Sequence, residues 1–168
     1  MDFIIRNVEE KDLKEIAELC INDWKKAYRG FIDDDYLDSL DANEKYERYK
    51  KNYKEGHFIV AANEKKVLGF CRYSDDYIDG PYEDRADCEL CALYVNFDDR
   101  NLGVGRAIVD FVKNYFRSIG KSKMIIWCFE DNKNGRGFYE KMGGQAIGFK
   151  VVVKGGKEYR EIGYLYDL

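Results

Sequence analysis

Between positions 100 and 105 the chain reads Arg100-Asn101-Leu102-Gly103-Val104-Gly105, two closely spaced glycines at the start of a helical pattern. Glycine lets a turning backbone aim several N–H groups at one point, and a helix N-terminus adds partial positive charge there. The chemistry such a loop permits is capture of an anion, phosphate above all, although two spaced glycines also fit a plain tight turn. A nucleotide P-loop is excluded, because no Gly-Lys-Ser/Thr follows. A dinucleotide-binding fold, with NAD as its ligand, would use a strand over 89–95, this loop, a helix over 105–119, a strand over 124–129 and Glu130 for the ribose. Its third glycine position is instead Ile108. Seven residues also separate Val95 from Gly103, where that fold turns at once.

The elements around the loop follow from periodicity and punctuation. Residues 3–6 read as a short strand. Asp12 opens a helix whose Leu13, Ile16, Ala17, Cys20, Trp24 and Ala27 share one face. After Gly30 comes an acidic turn, Asp33-Asp34-Asp35, then a helical segment through Tyr46, Tyr49 and Tyr53, opened by Asp41 and Glu44 at capping-box spacing. Apolar runs at 58–62 and 67–73 flank Asn63-Glu64-Lys65-Lys66, a hairpin signal. A long loop from Ser74 to about Asp87 holds the only proline, Pro81. A strand over 89–95 precedes the glycine loop. The helix over 105–119 turns Ile108, Val109, Val112 and Phe116 inward and ends at Gly120. A strand over 124–129, a short helix over 135–142 and two strands, 146–153 and 159–166, joined at Gly155-Gly156, complete the chain. The order β-α-α-β-β-β-α-β-α-β-β is expected to give a mixed sheet with helices against it.

Composition limits the class of function. A length of 168 residues suits one domain over 1–168, able to fold without disulfides or a structural metal. A formal charge of −4 supplies no basic face for nucleic acid. No stretch approaches the roughly 20 apolar residues of a membrane span, and the start resembles no signal peptide. Five cysteines are an odd number. Cys88 and Cys91 fall in a strand, where such spacing points to opposite faces, and His57 is the sole histidine, so no metal is expected. Reduced, buried thiols in a cytoplasmic protein are the expectation.

The frame around the loop carries a resemblance. Arg100-x-x-Gly103-x-Gly105 resembles the R/Q-x-x-G-x-G/A motif of the GCN5-related N-acetyltransferases (GNAT family). Upstream, Glu89-Leu90-Cys91-Ala92-Leu93-Tyr94-Val95 resembles that family's fourth strand. Downstream, Asn132-x-x-Gly135-x-x-Phe138-Tyr139-Glu140-Lys141-Met142-Gly143 is similar to its N-x-x-A-x-x-F-Y-E-K-x-G signature, with Gly135 in place of the usual alanine and Gly144 in place of an apolar residue. Trp24-x-x-x-Tyr28-Arg29-Gly30 extends the likeness toward the N-terminus. The resemblance implies an α/β (α+β) fold, a mixed and mostly antiparallel sheet of about seven strands flanked by about four helices. It implies acetyl-CoA as co-substrate, its pyrophosphate held by Arg100, Asn101, Leu102, Gly103, Val104, Gly105 and Arg106. A splayed strand edge at Leu93, Tyr94 and Val95 would hold the pantetheine arm and thioester oxygen, with Asn132 and Asn134 either touching the cofactor or shaping the turn.

Acetylating an amine poses three problems. An alkylamine of pKa ~10.4 is protonated at neutral pH, and freeing it costs roughly 4–5 kcal/mol. The thioester carbonyl gathers negative charge, and the thiolate leaves more easily with a proton in reach. Glu89, in a strand that otherwise reads as interior, is the candidate base, since desolvation raises a carboxyl pKa. It also matches a position where some family members carry that base; the plain alternative is an edge glutamate facing water. The backbone amides of 93–95 would stabilise the oxyanion. Tyr139 matches the family tyrosine that points at the CoA sulfur and can protonate the thiolate. Transfer is then direct, in a ternary complex.

For the acceptor, a small-molecule or peptide amine, the resemblance implicates the N-terminal helices, the loop before the fourth strand and the last strands. Asp75, Asp76, Asp79, Glu83, Asp84 and Asp87 crowd that loop against Arg85, an acidic rim that would draw cationic amines or merely serve solubility. Trp24, Tyr28 and Tyr36 are candidate pocket walls, and His57 a candidate proton carrier or an ordinary surface residue. A CoA-binding sensor without catalysis is the competing function. The resemblance also implies a homodimer, through the C-terminal strands or exposed aromatics.

Overall fold

The computed structural model describes residues 2–78 and 80–168. Seven strands form one sheet: β1 (Ile4–Asn7), β2 (His57–Ala62), β3 (Val67–Ser74), β4 (Cys88–Val95), β5 (Lys123–Phe129), β6 (Gln145–Lys154) and β7 (Lys157–Asp167). Their spatial order is β1-β2-β3-β4-β5-β7-β6. Every neighbouring pair is antiparallel except β4 and β5, which run parallel through a crossover helix. The expected mixed, mostly antiparallel sheet of about seven strands is therefore the architecture.

The described helices are α1 (Leu13–Ala27), α2 (Asp34–Ser39), α3 (Ala42–Asn52), α4 (Val104–Ser118) and α5 (Lys133–Lys141). One of them corrects the sequence reading. The acidic run at 33–35 is not an open turn but the start of α2, with Asp33 as its cap, accepting from the Tyr36 amide at 3.0 Å. Three carboxylates at a helix N-terminus lie where the backbone dipole favours them. A helix of 6 residues carries too little periodicity to be seen in sequence. Asp41 caps α3 as its spacing with Glu44 predicts, accepting from the Asn43 and Glu44 amides.

Alternation along the strands divides the core in two. Phe58, Val60, Val67 and Phe70 face α1 and α3, packing on Leu13, Ile16, Cys20 and Tyr49. Ile59, Leu68, Cys88, Leu90, Met124, Ile126 and Tyr164 face the other way, against Val104, Ile108, Val112 and Phe116 of α4, with Phe138 and Tyr139 of α5 beside them. Helix α4 is amphipathic in the predicted sense, its inward side chains wholly buried. The parallel pair β4–β5 and the helix crossing between them frame the site.

Candidate active site

Strand β4 does not stay with β5. Their ladder consists of Cys88 opposite Met124 and Glu89 opposite Ile125, and no pairing follows. On its other side β4 keeps pairing with β3 as far as Val95, but with an irregularity: Arg72 faces Ala92 while Tyr73 faces Leu90, which leaves Cys91 as the extra residue of a bulge. A bulge bends its strand and increases the local twist, here just where β4 parts from β5. From Leu90 to Val95 the β5-facing edge therefore presents backbone groups without ladder partners, as expected for Leu93, Tyr94 and Val95. The Tyr94 side chain is spent elsewhere, its buried hydroxyl accepting from Trp24 Nε1 at 2.8 Å to tie α1 to β4.

The glycine loop lies beyond the open end of that gap, after a short 3-10 turn at Phe97–Asp99. Two of its residues adopt left-handed backbone, Asn101 with φ 64° and Gly103 with φ 85°. Gly103 caps α4 without a side-chain acceptor, and the first turn holds no acid. Among the described residues, no hydrogen bond engages the Val104, Gly105 or Arg106 amides. Three amides without partners at the positive end of a helix, with the exposed Arg106 beside them, have the donors and the charge that an anion would need. At Gly105 an added Cβ would lie 3.3 Å from the Phe138 ring, so glycine there lets α5 close against the start of α4.

Arg100 takes a role that its sequence position does not reveal. Its guanidinium pairs with Asp23 of α1 and stacks 4.9 Å from the Phe97 ring. Asp23 is 8% exposed, and burial pushes its carboxyl above the usual range even with Arg100 beside it. The side chain therefore pins the loop to α1. Leu102 is exposed and Asn134 lies exposed in the first turn of α5. Asn132 caps α5, its Oδ1 accepting from the Gly135 amide at 3.0 Å. A Cβ on Gly135 would come within 2.5 Å of Asn132 Nδ2 and 3.0 Å of Cys128 Sγ, which explains glycine at this position.

Glu89, at the last β4–β5 pair, and Tyr139 lie on opposite faces of the sheet. Glu89 is half-buried on the α1 face; burial raises its carboxyl pKa, Lys150 and Arg72 oppose that rise, and Glu161 adds to it. Tyr139 stands on the α5 face, 5.3 Å from the Phe138 ring and 6.1 Å from Tyr164. Burial holds its phenol well above the ordinary pKa. Among the described residues its hydroxyl makes no hydrogen bond.

A match to the acetyltransferase (GNAT) family model covers residues 18–144. The chain belongs to that family. It is 28% identical over 131 residues to an uncharacterized N-acetyltransferase of Bacillus subtilis, covering 76% of this chain and 72% of the relative. With an uncharacterized N-acetyltransferase of Methanocaldococcus jannaschii the identity is 31% over 153 residues, covering 91% of this chain and 64% of that longer protein. A crystal structure of the PaiA N-acetyltransferase of Thermoplasma acidophilum in complex with coenzyme A shares the fold with a TM-score of 0.72, at 21% identity over 99% of this chain and 100% of the other. This GNAT chain is thus an acetyltransferase by family.

The candidate acceptor residues fall into an aromatic group and an acidic one. Tyr28 meets Trp24, Phe129 and Phe31 with ring centroids 5.0, 5.1 and 5.4 Å away, and Tyr36 joins Trp24 at 6.4 Å, so the candidate walls do come together. The acidic rim is largely spent on structure. Asp75 bonds His57 and Tyr115, Asp76 pairs with Lys121 at 3.2 Å, and Asp87 accepts from Ser122 and Lys123. Asp79 lies outside the described residues. His57 stacks on Tyr73 at 4.7 Å, on the α4 face, so the sheet separates it from Glu89. Sequence reasoning passed over Trp127, Lys150 and Glu161, which gather beside Glu89 from three strands. The available signal was a glycine pair. Gly148 and Gly163 are opposite each other in β6 and β7, and a Cβ on Gly163 would strike the Trp127 ring at 2.9 Å. No helix among the described residues is long and apolar enough to cross a membrane.

Proposed function

We propose that this chain transfers the acetyl group of acetyl-CoA to a primary amine, small molecule or peptide, by direct attack in a ternary complex. One observation carries the reading. Near a helix start with three unpartnered amides, β4 leaves β5 directly after Glu89, whose carboxyl is desolvated, and the desolvated phenol of Tyr139 lies on the opposite face of the sheet. Acetyl-CoA supplies an activated thioester. The amides of Val104, Gly105 and Arg106 would hold its pyrophosphate, and the unpaired edge at Leu93–Val95 its pantetheine arm, with the oxyanion facing those aligned donors.

Glu89 is the proposed base. A carboxyl whose pKa is raised by burial is better matched to accepting the proton of an ammonium group. Tyr139 is the proposed partner of the leaving sulfur. An ordinary phenol, pKa about 10, is already a weaker acid than a thiol at about 8.5, and burial widens that difference. Full proton transfer from Tyr139 is therefore uphill, and its role is hydrogen-bond donation to the departing thiolate.

Stabilisation against heat by acetyl-CoA, CoA and NAD, measured in parallel, tests the cofactor. Stabilisation by NAD and not by CoA would sink the proposal. Amine-dependent release of free CoA thiol then separates an enzyme from a CoA-binding sensor. In this reading residues 1–168 form one domain acting in the cytoplasm. A homodimer through β6 is supported by its position at the sheet edge and by exposed Phe149, Val151 and Val153 on one side of it. Sedimentation of Val151→Lys as a monomer beside a wild-type dimer checks that.

A further inference from the structure

Trp127 is held in one pose. Its ring lies over the bare backbone of Gly163, its Nε1 donates to Tyr77 Oη at 3.3 Å, and Tyr82 stacks at 6.3 Å with an interplanar angle of 26°. Tyr82 in turn sits over Gly148, where a Cβ would meet its hydroxyl. Two facing glycines thus clear a trough on the α1 side of the sheet for two aromatic rings. Into this frame the chain places one of its own amines. Lys150 Nζ lies 4.4 Å from the Trp127 ring centroid and 3.4 Å from Glu161 Oε2, with side-chain exposures of 27% for Lys150 and 17% for Glu161. Glu89 lies within electrostatic reach of both.

An aromatic face with a shielded carboxylate beside it is what an ammonium ion seeks, through attraction to the ring and charge pairing. The present occupant defines what the place accepts: a primary ammonium on an unbranched alkyl chain. We propose that the Trp127–Glu161 corner is the ammonium seat of the acceptor site, that Lys150 is its resident competitor, and that the acceptors are cationic alkylamines that displace it. This rests on the acetyl-transfer reading for its meaning in the reaction, but the seat itself is a binding property. The other cations nearby do not compete for the same ring: Arg72 is exposed on β3, and Lys154 lies 5.7 Å from the Trp24 ring.

The probe is n-butylammonium chloride, titrated into the whole protein and followed by the emission of its two tryptophans, with Trp127→Phe identifying the responding one. Lys150→Met keeps the aliphatic stem and vacates the seat, and is expected to bind the probe about fivefold more tightly than wild type. Glu161→Gln weakens binding by a similar factor, and Lys150→Arg, which keeps a cation in place, leaves it near the wild-type value. The opposite signs matter, because damage to the fold would weaken binding in both variants. Unchanged or weaker binding in Lys150→Met, or tighter binding in Glu161→Gln, overturns the proposal. Thermal stabilisation by CoA, retained in each variant, verifies that the fold is intact. If the seat behaves as expected but no alkylamine is acetylated, the acetyl-transfer reading fails and the seat stands. If arylamines, uncharged at neutral pH, gain as much in KM from Lys150→Met as alkylamines do, the seat fails and acetyl transfer stands.

Discussion

Removing the Arg100 guanidinium while keeping its stem, in Arg100→Met, isolates the charge pair that fastens the glycine loop to α1. The variant leaves the Asp23 carboxylate buried without its partner, its side chain 9% exposed. Asp23 can escape only by taking a proton. At pH 7 that costs about 4 kcal/mol for an aspartate of ordinary pKa near 3.9, which is the ceiling on the penalty. Arg100 is 31% exposed, so solvent already screens part of its charge, and the expected loss is about 2 kcal/mol. At pH 5 the ceiling itself falls to about 1.5 kcal/mol. The direction follows from linkage. Burial raises the folded-state pKa of Asp23 above its unfolded value, and more so without Arg100. The folded variant then binds more protons than the unfolded chain, so its deficit grows as pH rises above the carboxylate range and shrinks as pH falls. Urea unfolding of wild type and variant at pH 7.5 and pH 5 measures this. In Asp23→Asn/Arg100→Met, with no charge left to strand, part of the loss returns and the pH dependence disappears. A deficit equal at both pH values, or absent at pH 7.5, would refute the reasoning and mean that the pair is formed at no energetic gain.

Tyr139→Phe is expected to lower kcat by roughly tenfold or more, as loss of a charge-assisted hydrogen bond does, with little change in the KM for acetyl-CoA; a raised KM at unchanged kcat would reject the role. In Glu89→Gln, activity falls and the acidic limb of kcat/KM vanishes. In wild type that limb lies above the ordinary carboxylate range, because the base must be ionised and burial raises its pKa. Gly103→Ala forces a side chain onto φ 85°, at a cost of about 1 kcal/mol, and weakens CoA binding in a thermal-shift titration. Gly135→Ala gains up to roughly 1 kcal/mol of helix propensity but crowds Asn132 and Cys128. Loss of the cap and of packing outweighs it, so the melting temperature falls; a rise would show that Asn132 yields freely.

Elements with long periodic faces were legible in sequence, and α4 with its glycine loop most of all, because Ile108, Val109, Val112 and Phe116 repeat at helical spacing behind two glycines. Helix α2 was not, since its order comes from Asp33 capping a single turn and from Leu37 meeting Ile32 and Phe129, a contact distant in sequence. The parting of β4 from β5 was available only by resemblance. Its physical cause, the extra residue at Cys91, has no composition signature. Charge counted along the chain says nothing about how many carboxylates fold back onto local donors, as Asp75, Asp76 and Asp87 do. The groups of the proposed ammonium seat come singly from β5, β6 and β7, where Trp127, Lys150 and Glu161 become neighbours only through register.

The proton inventory at the gap constrains the proposed mechanism further than either residue alone. An ammonium acceptor must lose two protons on becoming an amide, and the departing thiolate can regain one. With its phenol raised by burial, Tyr139 is a poor source of that proton and a good hydrogen-bond donor. The proton must then come from the nitrogen as it bonds to the carbonyl carbon, a site made strongly acidic by that bond. In the proposed mechanism Glu89 would take the first proton, before attack, and Tyr139 would steady the sulfur until the second arrives. On that proposal the two groups act at different moments, from opposite faces, and exchange no proton with each other. Their losses should therefore multiply: a Glu89→Gln/Tyr139→Phe enzyme should show the product of the two single-variant factors in kcat/KM. A double variant no slower than the worse single one would mean that both serve one relay, and the separation of roles argued from their placement would be wrong.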